Sequence, residues 1–284
     1  MHSFSITTRD FVQGLISGHF PGHDFSFLAE LFHHVDDLFA GHYPGYQRSD
    51  SAYHDLHHTC GAAEATARLL DGHLVGGLSP TLTARDLELA IAAALLHDSG
   101  YIKQLGDNEG TGAKYTLTHV QRSAEFAVRF LPPLGVTPDE VRVVQNAIHC
   151  TGVGVCVSRL PFRTPAERYL GCAVGTGDIL SQMAAPDYLE HLPQLYAEFA
   201  EAAAYAGLDG TGIGNYQNVE DLMRRTRPFY EDQVQRMLNE EWDGVHREYE
   251  HHFGGAPNPY LSLIEGNLQR IDRWLAQRAV PAAC

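Results

Sequence analysis

The sequence predicts an all-α protein. Apolar residues recur at helical spacing in segment after segment, and sustained period-two alternation is absent. Ser/Thr caps and Gly/Pro breaks punctuate those segments at helix-like intervals. With 284 residues and 44% hydrophobic content, the chain is long enough for one large domain with a substantial core. Repeats, low-complexity tracts and linkers are absent. Residues 1–284 read as a single all-α domain, with a helical core over about 50–185 and a C-terminal helical extension over about 186–284.

Residues 1–24, with Gly14, Gly18, Pro21 and Gly22, suggest a short helix and a loop. Phe25 to Ala40 is an amphipathic helix with Phe27, Leu28, Leu31, Phe32, Val35 and Leu38 on one broad face. A helix from about His54 to His73 follows a loop at 41–53, and Gly76, Gly77 and Pro80 break it. Thr83 with Asp86 resembles a cap, and the helix from there to Asp98 is apolar nearly all round, hence central. Residues 100–116 form a polar loop long enough to be functional. Thr116 or Thr118 caps a helix over His119–Leu131, which Pro132 and Pro133 end. Thr137 to Glu140 is a capping box with proline at the first helical position, and its helix runs to about Cys150. Thr164 to Glu167 is a second box, opening a helix to about Met183. A long helix from Pro186 toward Ala206 is interrupted or kinked at Pro193. After a glycine-rich loop at 207–218, helices at roughly 219–225, 228–252 and 259–279 close the chain.

Twenty Lys plus Arg against 35 Asp plus Glu give a net charge of −15, which argues against affinity for nucleic-acid polymers. An acidic protein still binds a phosphate ester where metals supply local positive charge. Cys60, Cys150, Cys156, Cys172 and Cys284 show neither CxxC pairs nor framework spacing, so free thiols and a cytoplasmic location are expected. The N-terminus has no signal-peptide character, and no apolar run approaches the roughly 18 residues of a membrane span.

Seventeen histidines stand out against that composition. His97 and Asp98 end the apolar central helix, where neither belongs without a partner. His54 and His58 are spaced i, i+4, one face of a helix. His119 opens the next helix, His149 ends the one after, and Asp178 lies near the end of another. Asp178 follows Gly171 and Gly175, each costing roughly 1 kcal/mol relative to Ala in a helix. Close approach of a second helix is a reason to keep them. Five successive helices thus offer four imidazoles and two carboxylates. They fill two sites around a bridging Asp98: His58, His97, Asp98 and Asp178 on one ion, and Asp98, His119 and His149 on the other. Mixed N/O ligation suits two divalent ions of Fe, Mn, Zn, Co or, less well, Mg, and spacing does not choose among them. Two ions about 3.5–4 Å apart generate a hydroxide nucleophile and clamp a phosphoryl oxygen. The isolated histidines His33, His34, His73, His191, His246, His251 and His252 read as ordinary core or surface residues.

The ordered series His58, His97-Asp98, His119, His149, Asp178 resembles the HD-domain superfamily of metal-dependent phosphohydrolases, over roughly residues 50–185. That resemblance implies an all-α five-helix core and makes these six residues the metal ligands. Tyr53-His54-Asp55-Leu56-His57-His58-Thr59 is similar to the YHNxxHA signature of class I cyclic-nucleotide phosphodiesterases, with Asp55 for Asn and Thr59 for Ala. It implies that His54 is the general acid that protonates the leaving oxygen and that His58 binds metal. Tyr101 stands where their HDxxH pattern ends in histidine, and no match to their glutamine-containing purine pocket is found. The segment His149 to Gly154 lacks the HHExxxGxGYP signature of cyclic-di-GMP phosphodiesterases, which disfavours that substrate.

Lys114, in the loop between Asp98 and His119, is placed like a phosphate-contacting lysine of those HD-GYP enzymes, and Arg122 one turn into the next helix could act likewise. Tyr101 either lines the pocket or packs beneath the loop. The expected activity is a dinuclear phosphohydrolase, most simply a phosphodiesterase, acting by hydroxide attack on a cyclic nucleotide or related nucleotide phosphoester. The expected partner is that small molecule, with no nucleic-acid polymer, no membrane and at most a second copy of the chain as a homodimer. Two alternatives stay open. Mixed-valent di-iron oxygenases resembling myo-inositol oxygenase share the fold and a similar six-ligand set, and a regulatory module could retain a residual site.

Overall fold

The apolar run that leads into His97 forms a helix, Ala84–Leu96 (α4), in which every residue from Leu87 to Leu96 is buried. In this computed structural model, which describes residues 2–208 and 216–279, α4 is the centre of the molecule. Thr83 starts it with both arms of a capping box to Asp86. The buried charge on it, Glu88, is held by Arg85 at 3.0 Å and His23 at 3.3 Å. Around α4 pack α2 (Ser26–Ala40), α3 (Leu56–Val75), α5 (His119–Phe130), α6 (Pro138–His149) and α7 (Pro165–Ala184). Outside them, α1 (His2–His19) lies on α3, and α8 (Tyr188–Tyr205) covers the 100–116 loop. α9 (Val219–Pro228), α10 (Tyr249–His252) and α11 (Pro259–Ala279) close the other side, α10 against α3 and α11 along α7. Among the described residues no strand occurs, so the protein is all-α, and β-pairing there is confined to a bridge between Tyr46 and Gln104. Among the described residues, no helix is long and apolar enough to cross a membrane.

α3 and α7 pack closely, and Gly177 permits the approach. A Cβ added at Gly177 would lie 2.4 Å from Thr66 Oγ1 and 2.9 Å from its backbone nitrogen. At Gly175 it would lie 2.7 Å from the Cys150 carbonyl oxygen and 2.7 Å from the Trp242 ring. Gly171 and Gly175 instead admit Cys150 at the end of α6 with Phe162 and Trp242, and only Gly177 faces α3. Gly177→Ala should push α3 from α7 and destabilise the protein by about 1–3 kcal/mol, as overpacking typically does. Denaturant titration measures this, and an unchanged midpoint would contradict the tight contact.

Several boundaries differ from the sequence reading. α1 is a full 18-residue helix rather than a short one. α3 begins at Leu56, because the Asp55 side chain accepts the His58 amide at 2.9 Å and acts as its N-cap. His54 therefore precedes the helix and does not share a helical face with His58. Neither Thr116 nor Thr118 caps α5. Their hydroxyls donate to the carbonyls of Ala113 and Tyr115 instead. Thr164 caps α7, but the Glu167 carboxylate turns to the Arg163 amide and to Arg142, so the reciprocal arm is missing. α8 starts at Tyr188 and carries Pro193 without ending. The helix expected over 228–252 is broken into wide π-type turns at Phe229–Val234 and Met237–Glu241, a 3-10 turn at Val245–Glu248, and α10. Asp243 (φ 52°) and Gly244 (φ 70°) are left-handed, which no continuous helix permits. Cys60, Cys150, Cys156 and Cys172 are free thiols, whereas Cys284 and residues 209–215 of the glycine-rich loop lie outside the described residues.

Candidate metal centre

His97 keeps helical geometry (φ −58°, ψ −31°) as the cap of α4, and Asp98 leaves it (φ −105°, ψ 5°) into a 3-10 turn, Ser99–Tyr101. That turn is fastened to α5. The Gly100 amide donates to Ser123 Oγ at 2.8 Å, and Arg122 Nε donates to the Gly100 carbonyl at 2.7 Å. Any Cβ at Gly100 would lie 2.1 Å from the His119 carbonyl oxygen, so only glycine lets the His-Asp turn sit on the start of α5.

From this turn and from α3, α5 and α7, five of the six expected ligands converge. His58 Nε2 lies 3.2 Å from Asp178 Oδ1, 3.3 Å from Asp98 Oδ2 and 3.3 Å from His97 Nε2. His97 Nε2 is 3.2 Å from Asp98 Oδ2 and 3.4 Å from Asp178 Oδ1. The ligand atoms of His58, His97 and Asp178 all fall within 4.8 Å of one another, a group able to hold a metal ion. The other carboxylate oxygen of Asp98, Oδ1, faces His119 Nε2 at 3.7 Å. Asp98 thus stands between two imidazole sets. Backbone carbonyls orient two of these rings: His97 Nδ1 donates to Ala94 at 2.7 Å and His119 Nδ1 to Thr116 at 2.6 Å, leaving both Nε2 atoms inward.

The donor chemistry fits a cation. Asp98 Oδ2 is buried and accepts no hydrogen bond, although two imidazole nitrogens lie within 3.3 Å of it. Two Nε2 atoms facing each other at 3.3 Å, between two carboxylates, call for shared protons or a common ion. His149 is half-buried at the end of α6, and among the described residues no hydrogen bond, ion pair or ring contact links it to the other five. His58, His97 and Asp178 thus form a group able to hold one ion, and Asp98 Oδ1 faces His119 Nε2 beside it.

The electrostatics follow from this crowding. Burial opposes the charged form of His58, but Asp178 and then Asp98 outweigh it and raise its pKa from about 6.5 to about 9. His97 rises well above its ordinary value, against burial, through the charges of Asp98 and Asp178. Burial likewise opposes ionisation of Asp98 and Asp178, yet His97 above all holds both below the usual carboxylate range. Burial lowers His119 and His149. A group raised on folding contributes stability that is complete below its unfolded pKa and lost as pH climbs through the folded one. For His58 that window runs from about 6.5 to about 9. The chelator-treated protein should lose several degrees of melting temperature between those pH values. A divalent ion displaces the same protons, so metal-loaded protein should not show this loss. A flat profile for the chelated protein would count against the pairing.

Beside the cluster stands a second arrangement. His54 Nδ1 meets Glu198 Oε2 at 2.5 Å, and Glu198 Oε1 accepts the Tyr53 amide at 2.7 Å. Tyr101 is 1% exposed and lies between two imidazoles, stacked on His54 at 4.3 Å and on His119 at 4.5 Å. Tyr101 therefore fixes two rings as a buried wall. Glu198 was not identified from sequence. The available signal was its place in the apolar stripe Leu192, Leu195, Glu198, Ala202 of α8, where a carboxylate needs a partner.

The two expected phosphate-contacting cations are engaged elsewhere. Lys114 is buried, its ammonium bonded to Asp107 and, at 2.7 Å, to the Glu109 carbonyl. A carboxylate seven residues back in the same loop is its counter-charge, so the catalytic and substrate-binding roles expected of Lys114 are not supported. Arg122 stacks 3.5 Å over the Tyr115 ring and donates to the carbonyls of Gly100 and Ile102. It fastens the His-Asp turn, whose carbonyls have no helical partner. A cleft of about 280 Å³ opens next to His58 between α3, the end of α7 and the start of α8, and His191 lines it.

The chain matches no family model and no curated protein.

Proposed function

We propose that the chain is a dinuclear, metal-dependent phosphohydrolase of the HD-domain superfamily, acting on a phosphodiester of the cyclic-nucleotide or a related nucleotide class. The observation that carries this reading is the convergence of His58, His97 and Asp178 beside the buried Asp98 carboxylate, with His54 held by Glu198 at their edge. His58, His97, Asp98 and Asp178 would hold one ion; Asp98 and His119 would serve the second, with His149 the remaining candidate. Bound ions of this kind stabilise charge on phosphoryl oxygens and ionise water at neutral pH.

The chain's own residues supply the rest. With Nδ1–H donated to Glu198, the second nitrogen of His54 carries the proton that passes to the departing oxygen. The neutral imidazole left behind keeps its bond to Glu198 and is ready to be reprotonated. Tyr101, stacked at an interplanar angle of 11°, keeps the His54 ring from turning. Asp98 and Asp178 provide the negative charge that lets cations accumulate beside a substrate anion.

Elemental analysis of the isolated protein, followed by a screen of cyclic and linear phosphodiesters with the metal found, tests the proposal. Two ions per chain and chelator-sensitive hydrolysis are expected. Two irons with oxygen uptake and no hydrolysis would assign the oxygenase chemistry instead, and a protein that binds no metal would leave neither.

A further inference from the structure

The cleft beside the metal centre has a definite chemical character. His58 belongs to both, so the cleft adjoins the centre at that ring. Its remaining lining includes the carboxylates of Asp55 and Asp187 and the rings of Tyr53, Tyr188 and His191, together with neutral polar groups such as Gln182 and Gln194. Among the described residues, no lysine or arginine lines it. Both carboxylates stand at helix starts, Asp55 as the cap of α3 and Asp187 just before α8. At α3 the partial positive charge that a helix N-terminus offers to anions is already met by the Asp55 carboxylate, which accepts the His58 amide, whereas the Asp187 carboxylate makes no cap bond to α8. Asp187 is half-exposed toward solvent, and its nearest charged partner is His191 at 3.5 Å.

We propose that this cleft binds the non-phosphate part of the substrate and selects, through Asp187 and Asp55, for an uncharged or cationic group over an anionic one. The substrate class is then a phosphoester with a single phosphate, whose remaining part donates hydrogen bonds or carries an ammonium. A second phosphate would meet two carboxylates and, among the described residues, no lysine or arginine. An ammonium would meet those carboxylates and the aromatic walls of Tyr53 and Tyr188, a favourable setting for a cation. This inference rests on the phosphohydrolase reading and adds the specificity of that same site.

The test is equilibrium binding by calorimetry to the full chain loaded with Mn²⁺, using inorganic phosphate and three probes of matched length: 3-aminopropyl phosphate, 3-hydroxypropyl phosphate and 3-sulfopropyl phosphate. Wild type should bind them in that order, with at least about a tenfold span, as expected for a unit charge moved a few ångströms from a carboxylate near a protein surface. Asp187→Asn should shrink the span several-fold, with metal content and inorganic-phosphate affinity unchanged. Equal affinities in wild type, or an unaltered span in Asp187→Asn, would overturn the inference while metal-dependent binding of inorganic phosphate keeps the phosphohydrolase reading. Absence of inorganic-phosphate binding to the loaded protein would overturn both.

Discussion

The Asp98→Asn variant is expected to lose metal from both positions of the centre, whereas His97→Ala should lose it mainly from one. Asp98 directs Oδ2 at His58 and His97 and Oδ1 at His119, so it is the one carboxylate shared by both imidazole sets. His97 faces only the first set. Asparagine preserves volume but removes the charge. Breaking a buried, paired charge costs about 3–5 kcal/mol, which converts to roughly 10²–10⁴-fold in affinity. Hydrolysis, if the proposed function holds, should fall below detection with the metal. The metal-free variant should also melt lower than metal-free wild type at neutral pH, because His58 and His97 lose one of two counter-charges. Elemental analysis and melting curves read both effects. Two ions retained per chain in Asp98→Asn would remove Asp98 as the bridge.

Glu198→Gln is expected to leave the metal content intact and lower turnover about 10²-fold, within the range general-acid catalysis contributes. The carboxylate holds His54 at 2.5 Å and accepts the Tyr53 amide with its other oxygen. Glutamine keeps one acceptor but no charge to stabilise a protonated imidazole. Glu198 acts through His54, so it is a positioning residue, and the diagnostic readout is leaving-group dependence. The loss should be large for an alkoxide leaving group and small for p-nitrophenolate, which departs without a proton. His54→Ala should show the same dependence more strongly, again with normal metal content. A uniform loss across leaving groups would mean that Glu198 merely supports the fold.

The sequence by itself determined most of the helices and the roster of candidate metal-binding groups. Periodicity and caps located α2, α4, α6 and α7 within a few residues, because those signals are local: Thr83 and Thr137 each bond backbone within their own first turn. The glycines before Asp178 announced a close helix contact, since nothing else repays their cost inside a helix. What the side chains do with one another was decided by tertiary structure. The i, i+4 spacing of His54 and His58 suggested a shared face; the rings do come within 5.9 Å, but across an Asp55 cap rather than along a helix. Lys114 and Arg122 carried charges suited to phosphate, and nearer partners, Asp107 and the Gly100 and Ile102 carbonyls, claimed them. His149 kept its place in the chain order, but no direct contact ties it to the cluster among the described residues. Glu198, 144 residues from His54, became its partner only when α8 folded over the 100–116 loop. A ligand's identity is written in residue type, but its pairing depends on which groups a buried, low-dielectric space brings within hydrogen-bond reach, and that is fixed by packing across the whole chain.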